Sequence, residues 1–408
     1  MSFLAPFTSI ALLATGIALV LGVVNARWPQ TNGRRVVASW PAAWLFNELT
    51  LHILVLNAAA VGVLALLGGL LAPAGWVGLL LSVAAWAFML RLYGASRKTT
   101  ISPDPNFPPP EAKLSQAYPT SHVFFPWRAW TRSDVIRTND ITYATIGNLH
   151  LKLNVTAPTQ PAAGLRPAII QVHGGGWSMG SRRDQGAPLL GHLATNGWVG
   201  FNIDYRLSPR ATWPDHIVDV KRAIGWVRSH ADTFGIDPEF IAITGGSAGG
   251  HLSALAALSQ NDPAFQPGFE DVDTSISACV PFYGVYDLLD EDRHHFPPVR
   301  HLLQRSVFKH RRSDAADSFR AASPFHRVSA DSPPFLVVHG DLDSLVTVEE
   351  GRRFAQRLRD VSHQPAHYVE VVGGQHAFDV IPSWRTLRTV DAVSEFLATT
   401  WATHKTRR

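Results

Sequence analysis

A single cysteine, Cys279, excludes any intrachain disulfide and fits a reducing compartment. No Cys/His ligand spacing suggests zinc, and the 18 histidines are scattered along the chain. Charge is scarce too. Only 17% of the 408 residues are charged, and the net charge is +4. Lys and Arg form none of the long blocks that a nucleic-acid binder carries, so no nucleic-acid partner is expected.

What the chain does have is an apolar N-terminus. Phe7 to Val24 carries no charge, Leu51 to Leu71 has only His52 and Asn57 as strongly polar side chains, and Trp76 to Leu90 ends at Arg91. A bilayer core takes about 20 apolar residues in helix, roughly 17 at the least. The first two stretches reach that length, and the third does so once extended to Tyr93 with Arg91 snorkelling. None has the polar face of a soluble core helix. The segment before the first stretch, Met1 to Pro6, lacks the Lys or Arg of a secretory leader. Residues 1–95 are therefore expected to be a membrane anchor of about three helices, the second and third forming a hairpin. Arg27, Arg34, Arg35, Arg91, Arg97 and Lys98 then all fall on one side of the bilayer together with the C-terminal domain. The bias of such loop charges predicts that side to be cytoplasmic.

Residues 96–139 read as a linker. A Pro-rich spacer, "SPDPNFPPPE", leads to an aromatic segment, "VFFPWRAW", expected to pack on the following domain or at the membrane interface. Over residues 140–402 strands and helices alternate. Strands are expected at Ile141–Ile146, His150–Val155, Ala168–Val172, Val199–Asp204, Phe240–Thr244, Ile276–Phe282, Phe335–Val338 and His367–Val372. Helical periodicity lies between most of them, as in Pro214 to Ser229 with Ile217, Val220, Ile224 and Val227 on one face. Such alternation implies a mostly parallel sheet covered on both faces, with the first two strands as an antiparallel hairpin.

Several strand ends carry motifs. Gly245-Gly246-Ser247-Ala248-Gly249 fits G-x-S-x-G, a sharp strand-to-helix turn that lifts a serine hydroxyl clear of the sheet. A phosphate loop is excluded, since His251-Leu252 follows where Lys-Ser/Thr is required. Ser247 as a plain helix N-cap stays open at this point. In "AIIQVHGGGW" three glycines after a buried strand expose backbone N–H groups that suit a developing oxyanion, or else form a flexible turn. His173, directly before them, reads as a loop-shaping residue. "FLVVHGDLDSLV" and "VEVVGGQHAFD" end in an Asp turn and a His turn. A hydrolytic serine needs a histidine base and a carboxylate that orients it, and strand-end loops of a parallel sheet all emerge on one side.

Residues 140 to 400 resemble the α/β-hydrolase family, in particular its hormone-sensitive-lipase-like and BD-FAE-like esterases. The resemblance is carried by His173-Gly174-Gly175-Gly176, "DYRLSP", Gly-Gly-Ser247-Ala-Gly-Gly, "HGDLD" and "QHAF". It implies an α/β-hydrolase fold, a mostly parallel eight-stranded sheet with helices on both faces and a cap. It further implies Ser247 as nucleophile, Asp343 (in preference to Asp341) as acid, His376 as base, and Gly174, Gly175, Gly176 and Ala248 as oxyanion donors. No cofactor or metal is called for. The family's usual Asp before the serine is Gly246 here, and Trp177 after the glycines resembles "HGG-x-W" enzymes of feruloyl esterase and arylformamidase type.

The expected activity is hydrolysis of a small-molecule or lipid-like carboxylic ester by a membrane-anchored enzyme. An amidase, arylformamidase or peptidase with the same triad is the alternative, and an inactive membrane-tethered binding module a lesser one. Asp287 and Cys279 read as structural residues. The segment His294 to Asp314 reads as a cap helix whose basic face is solvated, or else rests on anionic lipid headgroups.

Overall fold

The structure, a computed structural model, describes residues 5–31, 35–99, 101–103, 114, 116–161 and 164–407. Arg34 and most of the Pro-rich run therefore lie outside the described residues.

The three apolar stretches are helices: α1 (Ala5–Arg27), α3 (Thr50–Leu64, continued by a π turn over Ala65–Gly69) and α4 (Pro73–Arg97). All three are long and apolar enough to cross a membrane. Helices α1 and α4 approach closely through small residues, since a Cβ on Gly16 would lie 2.5 Å from the Gly78 carbonyl oxygen. Elsewhere they present large apolar side chains outward, Leu66 being 81% and Leu56 70% exposed. In water such a surface would be costly.

The segment between the first two apolar stretches was expected to be a loop, and instead it holds a helix, α2 (Val36–Glu48), with Pro41 inside it. An interior proline removes an i→i−4 hydrogen bond and argues against a helix locally. Packing against α1 and against the C-terminal domain outweighs that penalty.

The C-terminal region is built on one nine-stranded sheet in the order β1-β9-β8-β7-β6-β4-β5-β3-β2. All eight expected strands are present as β2 (Val135–Ile146), β3 (Leu149–Pro158), β4 (Arg166–Val172), β5 (Val199–Ile203), β6 (Ile236–Gly246), β7 (Ala278–Phe282), β8 (Phe335–Gly340) and β9 (Ala366–Val371). The ninth, β1 (Ile101–Pro103), pairs antiparallel with β9 at the edge. Its three residues carry too little pattern to read from sequence. Strands β5, β4, β6, β7, β8 and β9 run parallel, while β2 and β3 form the expected hairpin.

Pro167 to Val172 in β4 is buried throughout, as a central strand covered on both faces must be. Helices α5 (Ala187–Thr195) and α9 (Trp384–Thr406) pack on one face of the sheet. On the other lie α6 (Asp215–Ser229), α7 (Ala248–Leu258) and α8 (Val348–Val361). The cap segment between β7 and β8 forms a six-residue helix, Pro297–Leu302, and a π turn, Leu303–Val307, where one helix was expected.

Candidate active site

Ser247 occupies the turn between β6 and α7 with φ 58° and ψ −120°. A left-handed serine of this kind costs about 1–3 kcal/mol and persists only where its surroundings over-determine it. They do. A Cβ on Gly249 would collide with the Val172 carbonyl oxygen, and one on Gly246 would lie 2.7 Å from the Tyr283 hydroxyl. Ser247 N–H donates to the Phe282 carbonyl at 3.0 Å, so neighbouring strands hold the turn from both sides. Ser247 is only half-buried while Ala248 is fully buried. The helix-cap reading fails, because the side chain makes no capping hydrogen bond.

Beyond the end of β8, Asp343 has both carboxylate oxygens occupied. Oδ1 accepts from the backbone N–H groups of Leu345 at 2.8 Å and Val346 at 2.9 Å. Oδ2 accepts from His376 Nδ1 at 2.7 Å and lies 3.2 Å from His339 Nε2. Burial alone would raise this carboxyl's pKa, but His376 and His339 outweigh it and hold the group well below the usual carboxylate range. Asp341 is engaged elsewhere, accepting from Gly373 N–H at 2.6 Å.

The His376 turn follows β9 and is tied to the Asp343 turn by Gln375, which is fully buried. Gln375 Oε1 accepts from Ser344 N–H and from His376 N–H, each at 2.8 Å. Tyr283 connects this histidine to the serine turn. Its ring lies 4.6 Å from the His376 ring and its hydroxyl donates to Asp379. Among the described residues Asp343 and His376 are hydrogen-bonded, whereas no hydrogen bond joins Ser247 Oγ to His376. With Nδ1 on Asp343, it is Nε2 that is left for a serine proton, and such a contact commonly tightens only when substrate binds.

The glycine loop after β4 packs on the serine turn, a Cβ on Gly174 falling 2.6 Å from the Gly246 carbonyl oxygen. Gly174 N–H is already used, donating to Gln185 at 2.8 Å. Gly175 (φ 118°) and Gly176 (φ 58°) have left-handed backbones that a side chain would strain. Leu302 of the cap reaches within 2.9 Å of where a Gly176 Cβ would stand, so the cap overlies this loop. His173 shapes the loop as expected: Nδ1 is 2.8 Å from the Gly174 carbonyl, and the ring stacks on Tyr205 at 4.3 Å. Its burial lowers the imidazole pKa.

Four residues beside the site escaped sequence reasoning: Tyr283, His339, Gln375 and Trp40. His339 and Gln375 stand inside the quoted "HGDLD" and "QHAF" turns, so position in those motifs was an available signal. Tyr283 had only its place after a strand, and Trp40 none. Asp287 is structural, bonded at 3.2 Å to His326, and Cys279 is buried in β7.

The chain is similar to known carboxylic ester hydrolases. The BD-FAE family profile matches residues 153–358. The chain is 50% identical over 271 residues to the "Probable carboxylic ester hydrolase LipM" of Mycobacterium tuberculosis, covering 66% of this chain and 63% of that protein. It is 45% identical over 265 residues to the "Esterase LipQ" of the same organism, covering 64% and 62%. The chain thus spans less than two thirds of the length of these relatives. Among solved structures, a Thermogutta terrifontis esterase is similar with a TM-score of 0.51 at 29% identity, over 60% of this chain and 84% of that one. A truncated carbohydrate esterase from gut microbiota, at 24% identity, shares the fold with a TM-score of 0.56 over 65% of this chain and 98% of that one.

Proposed function

Because the chain belongs to the BD-FAE family and is built on an α/β-hydrolase sheet, we propose that it is a membrane-anchored serine hydrolase of carboxylic esters. The observation that carries this reading is the buried Asp343–His376 pair beside a strained, half-exposed Ser247. Ser247 Oγ attacks the acyl carbonyl carbon while His376 Nε2 takes its proton. Asp343 holds Nδ1–H and stabilises the imidazolium. The tetrahedral oxyanion is bound by N–H groups of Gly175, Gly176 and Ala248, since Gly174 is committed to Gln185. His376 then protonates the leaving alcohol, and water, deprotonated by the same imidazole, cleaves the acyl-enzyme. This chemistry needs no cofactor.

The test is labelling by a fluorophosphonate probe alongside hydrolysis of p-nitrophenyl esters of rising acyl length. The full-length protein is expected to do both and Ser247→Ala neither. Retained hydrolysis in Ser247→Ala would refute the assignment. Matched ester and anilide substrates separate an esterase from an amidase or peptidase.

The reading includes three membrane crossings by α1, α3 and α4, supported by their length, composition and outward apolar surface. The 1–95, 96–139 and 140–402 segments serve as anchor, linker and catalytic domain, with the last on the cytoplasmic side. A C-terminal reporter active only outside the cytoplasm would reject that orientation. A bilayer-tethered site suits lipid-like esters, which the acyl-length series addresses.

A further inference from the structure

The turn that carries His376 is held from outside the catalytic domain. Trp40 Nε1 donates to the backbone carbonyl of His376 at 3.2 Å, and Trp44 Nε1 donates to that of Ala377 at 2.9 Å. The two indoles sit one turn apart on α2 and stack with centroids 6.2 Å apart, while Trp40 also meets the His376 ring edge-on at 6.2 Å. At the far end of α2, Glu48 accepts from Ser383 Oγ at 2.6 Å and pairs with Arg385 at 3.4 Å. The Arg385 guanidinium also donates to the Asn47 carbonyl at 3.1 Å. Glu48, Ser383 and Arg385 are buried, so these bonds are shielded from water.

The backbone here needs outside support. Ala377 has φ 64°, a left-handed conformation that an L side chain disfavours, and it directly follows the histidine. The carbonyls that α2 engages belong to the two peptides flanking Ala377, the first being the one that joins His376 to Ala377. The direction of that peptide helps set where the imidazole points, and Gln375 holds the preceding peptide by accepting from the His376 N–H. Helix α2 is itself strung between α1 and α3, two helices long and apolar enough to cross a membrane. Whatever seats those helices also seats the backbone of His376.

We propose that Trp40 and Trp44 are positioning residues for the catalytic histidine, so that the membrane region is a working part of the active site as well as its tether. This rests on the reading of His376 as the general base. Loss of the two N–H donors leaves the loop free to sample conformations in which Nε2 misses Ser247, which lowers the rate of chemistry and leaves substrate binding nearly unchanged.

The experiment uses the full-length protein in detergent or vesicles, with p-nitrophenyl butyrate as substrate. Trp40→Phe/Trp44→Phe keeps both aromatic bodies and removes both donors. The expected result is kcat lowered about ten-fold, KM within two-fold of wild type, a still cooperative thermal transition lowered by a few degrees at most, and faster amide hydrogen exchange over residues 372–386. Trp28→Phe, an exposed indole at the end of α1, serves as control and keeps wild-type kcat. Wild-type kcat in a folded double variant overturns the proposal, and so does an equal loss in Trp28→Phe. Should the double variant not fold, the single variants are measured, and wild-type kcat in both overturns it equally. Activity retained by Ser247→Ala marks failure of the underlying reading. An inactive Ser247→Ala beside a fully active double variant marks failure of this inference alone.

Discussion

Trp177 and His251 are joined side chain to side chain: the indole Nε1 donates to His251 Nδ1 at 3.2 Å, with the rings edge to face at 5.3 Å. Nε2 of the same imidazole is 2.8 Å from the Ala322 carbonyl. Trp177 follows the glycine loop directly, and His251 lies one helical turn beyond Ser247, its N–H donating to the Ser247 carbonyl at 2.9 Å. One buried imidazole thereby ties the glycine loop to the helix that follows Ser247 and to the chain after the cap. Both ring nitrogens are occupied only in the neutral Nε2–H tautomer.

Trp177→Phe is expected to lose the indole donor while keeping the ring. An orphaned buried acceptor costs about 1–3 kcal/mol of stability. The loosened loop should also lower kcat about ten-fold, less than the roughly 10²–10³ of losing an oxyanion donor outright. Thermal unfolding and steady-state kinetics on one preparation check both.

Burial lowers the His251 and His216 pKa values to about 4 each. The unfolded chain, with its histidines at about 6.5, binds protons there that the native state refuses. The contribution of these two groups is therefore fully present above about pH 6.5 and is lost as pH falls toward 4. The slope should approach about 1.4 kcal/mol per pH unit for each group. Denaturant unfolding between pH 4 and 7 measures it, and His216→Gln should flatten the curve.

His295 has the opposite sign. Burial would lower its pKa, but Glu350 at 3.2 Å and Asp290 at 3.7 Å outweigh burial and raise it. Its stabilising charge is complete below the unfolded value of about 6.5 and fades as pH rises through the higher folded one. His295 stands at the root of the cap, so limited proteolysis of residues 294–314 should accelerate at alkaline pH. His295→Ala, which leaves a buried carboxylate uncompensated, should cost about 3–5 kcal/mol.

Gly246 and Tyr283 are predicted to be coupled. An alanine at 246 would place its Cβ 2.7 Å from the Tyr283 hydroxyl and 2.9 Å from the ring. Gly246→Ala should lower kcat at least ten-fold, and Tyr283→Leu in the same chain should restore part of it. A double-mutant cycle showing simple additivity would contradict the coupling.

Asp343→Asn keeps the shape but offers an amide where His376 needs an acceptor and a negative charge. A loss of about 10³–10⁴ in kcat is expected, with little change in KM. Because the native carboxyl is held so far below its usual range, wild-type activity should show no titration of this group at any pH where the protein stays folded.

Much of the C-terminal region was legible because its signals are local. The buried run of β4, the amphipathic face of α6 and the glycines around Ser247 each follow from a few adjacent residues. The departure at Gly246 was legible too, but its reason was not. That position lacks a side chain because Tyr283, directly after the neighbouring strand β7, fills the space. Gly174 was grouped with the oxyanion donors by its place in the glycine run, and only the folded loop shows its N–H turned to Gln185.

The apolar lengths of α1, α3 and α4, the strand order of motifs and the choice of Ser247, Asp343 and His376 are properties of sequence alone. The lengths and the strand order rest on chain periodicity, and the choice of residues, Asp343 over Asp341 included, is what the resemblance to α/β-hydrolases implies. That α2 is a helix, and that it holds the histidine's turn, came from contacts between residues more than 330 positions apart. Nothing in the local pattern of Trp40, Pro41 and Trp44 favours a helix or names a partner. Tertiary packing decided both, because an indole N–H finds its carbonyl only once the two halves of the chain have met.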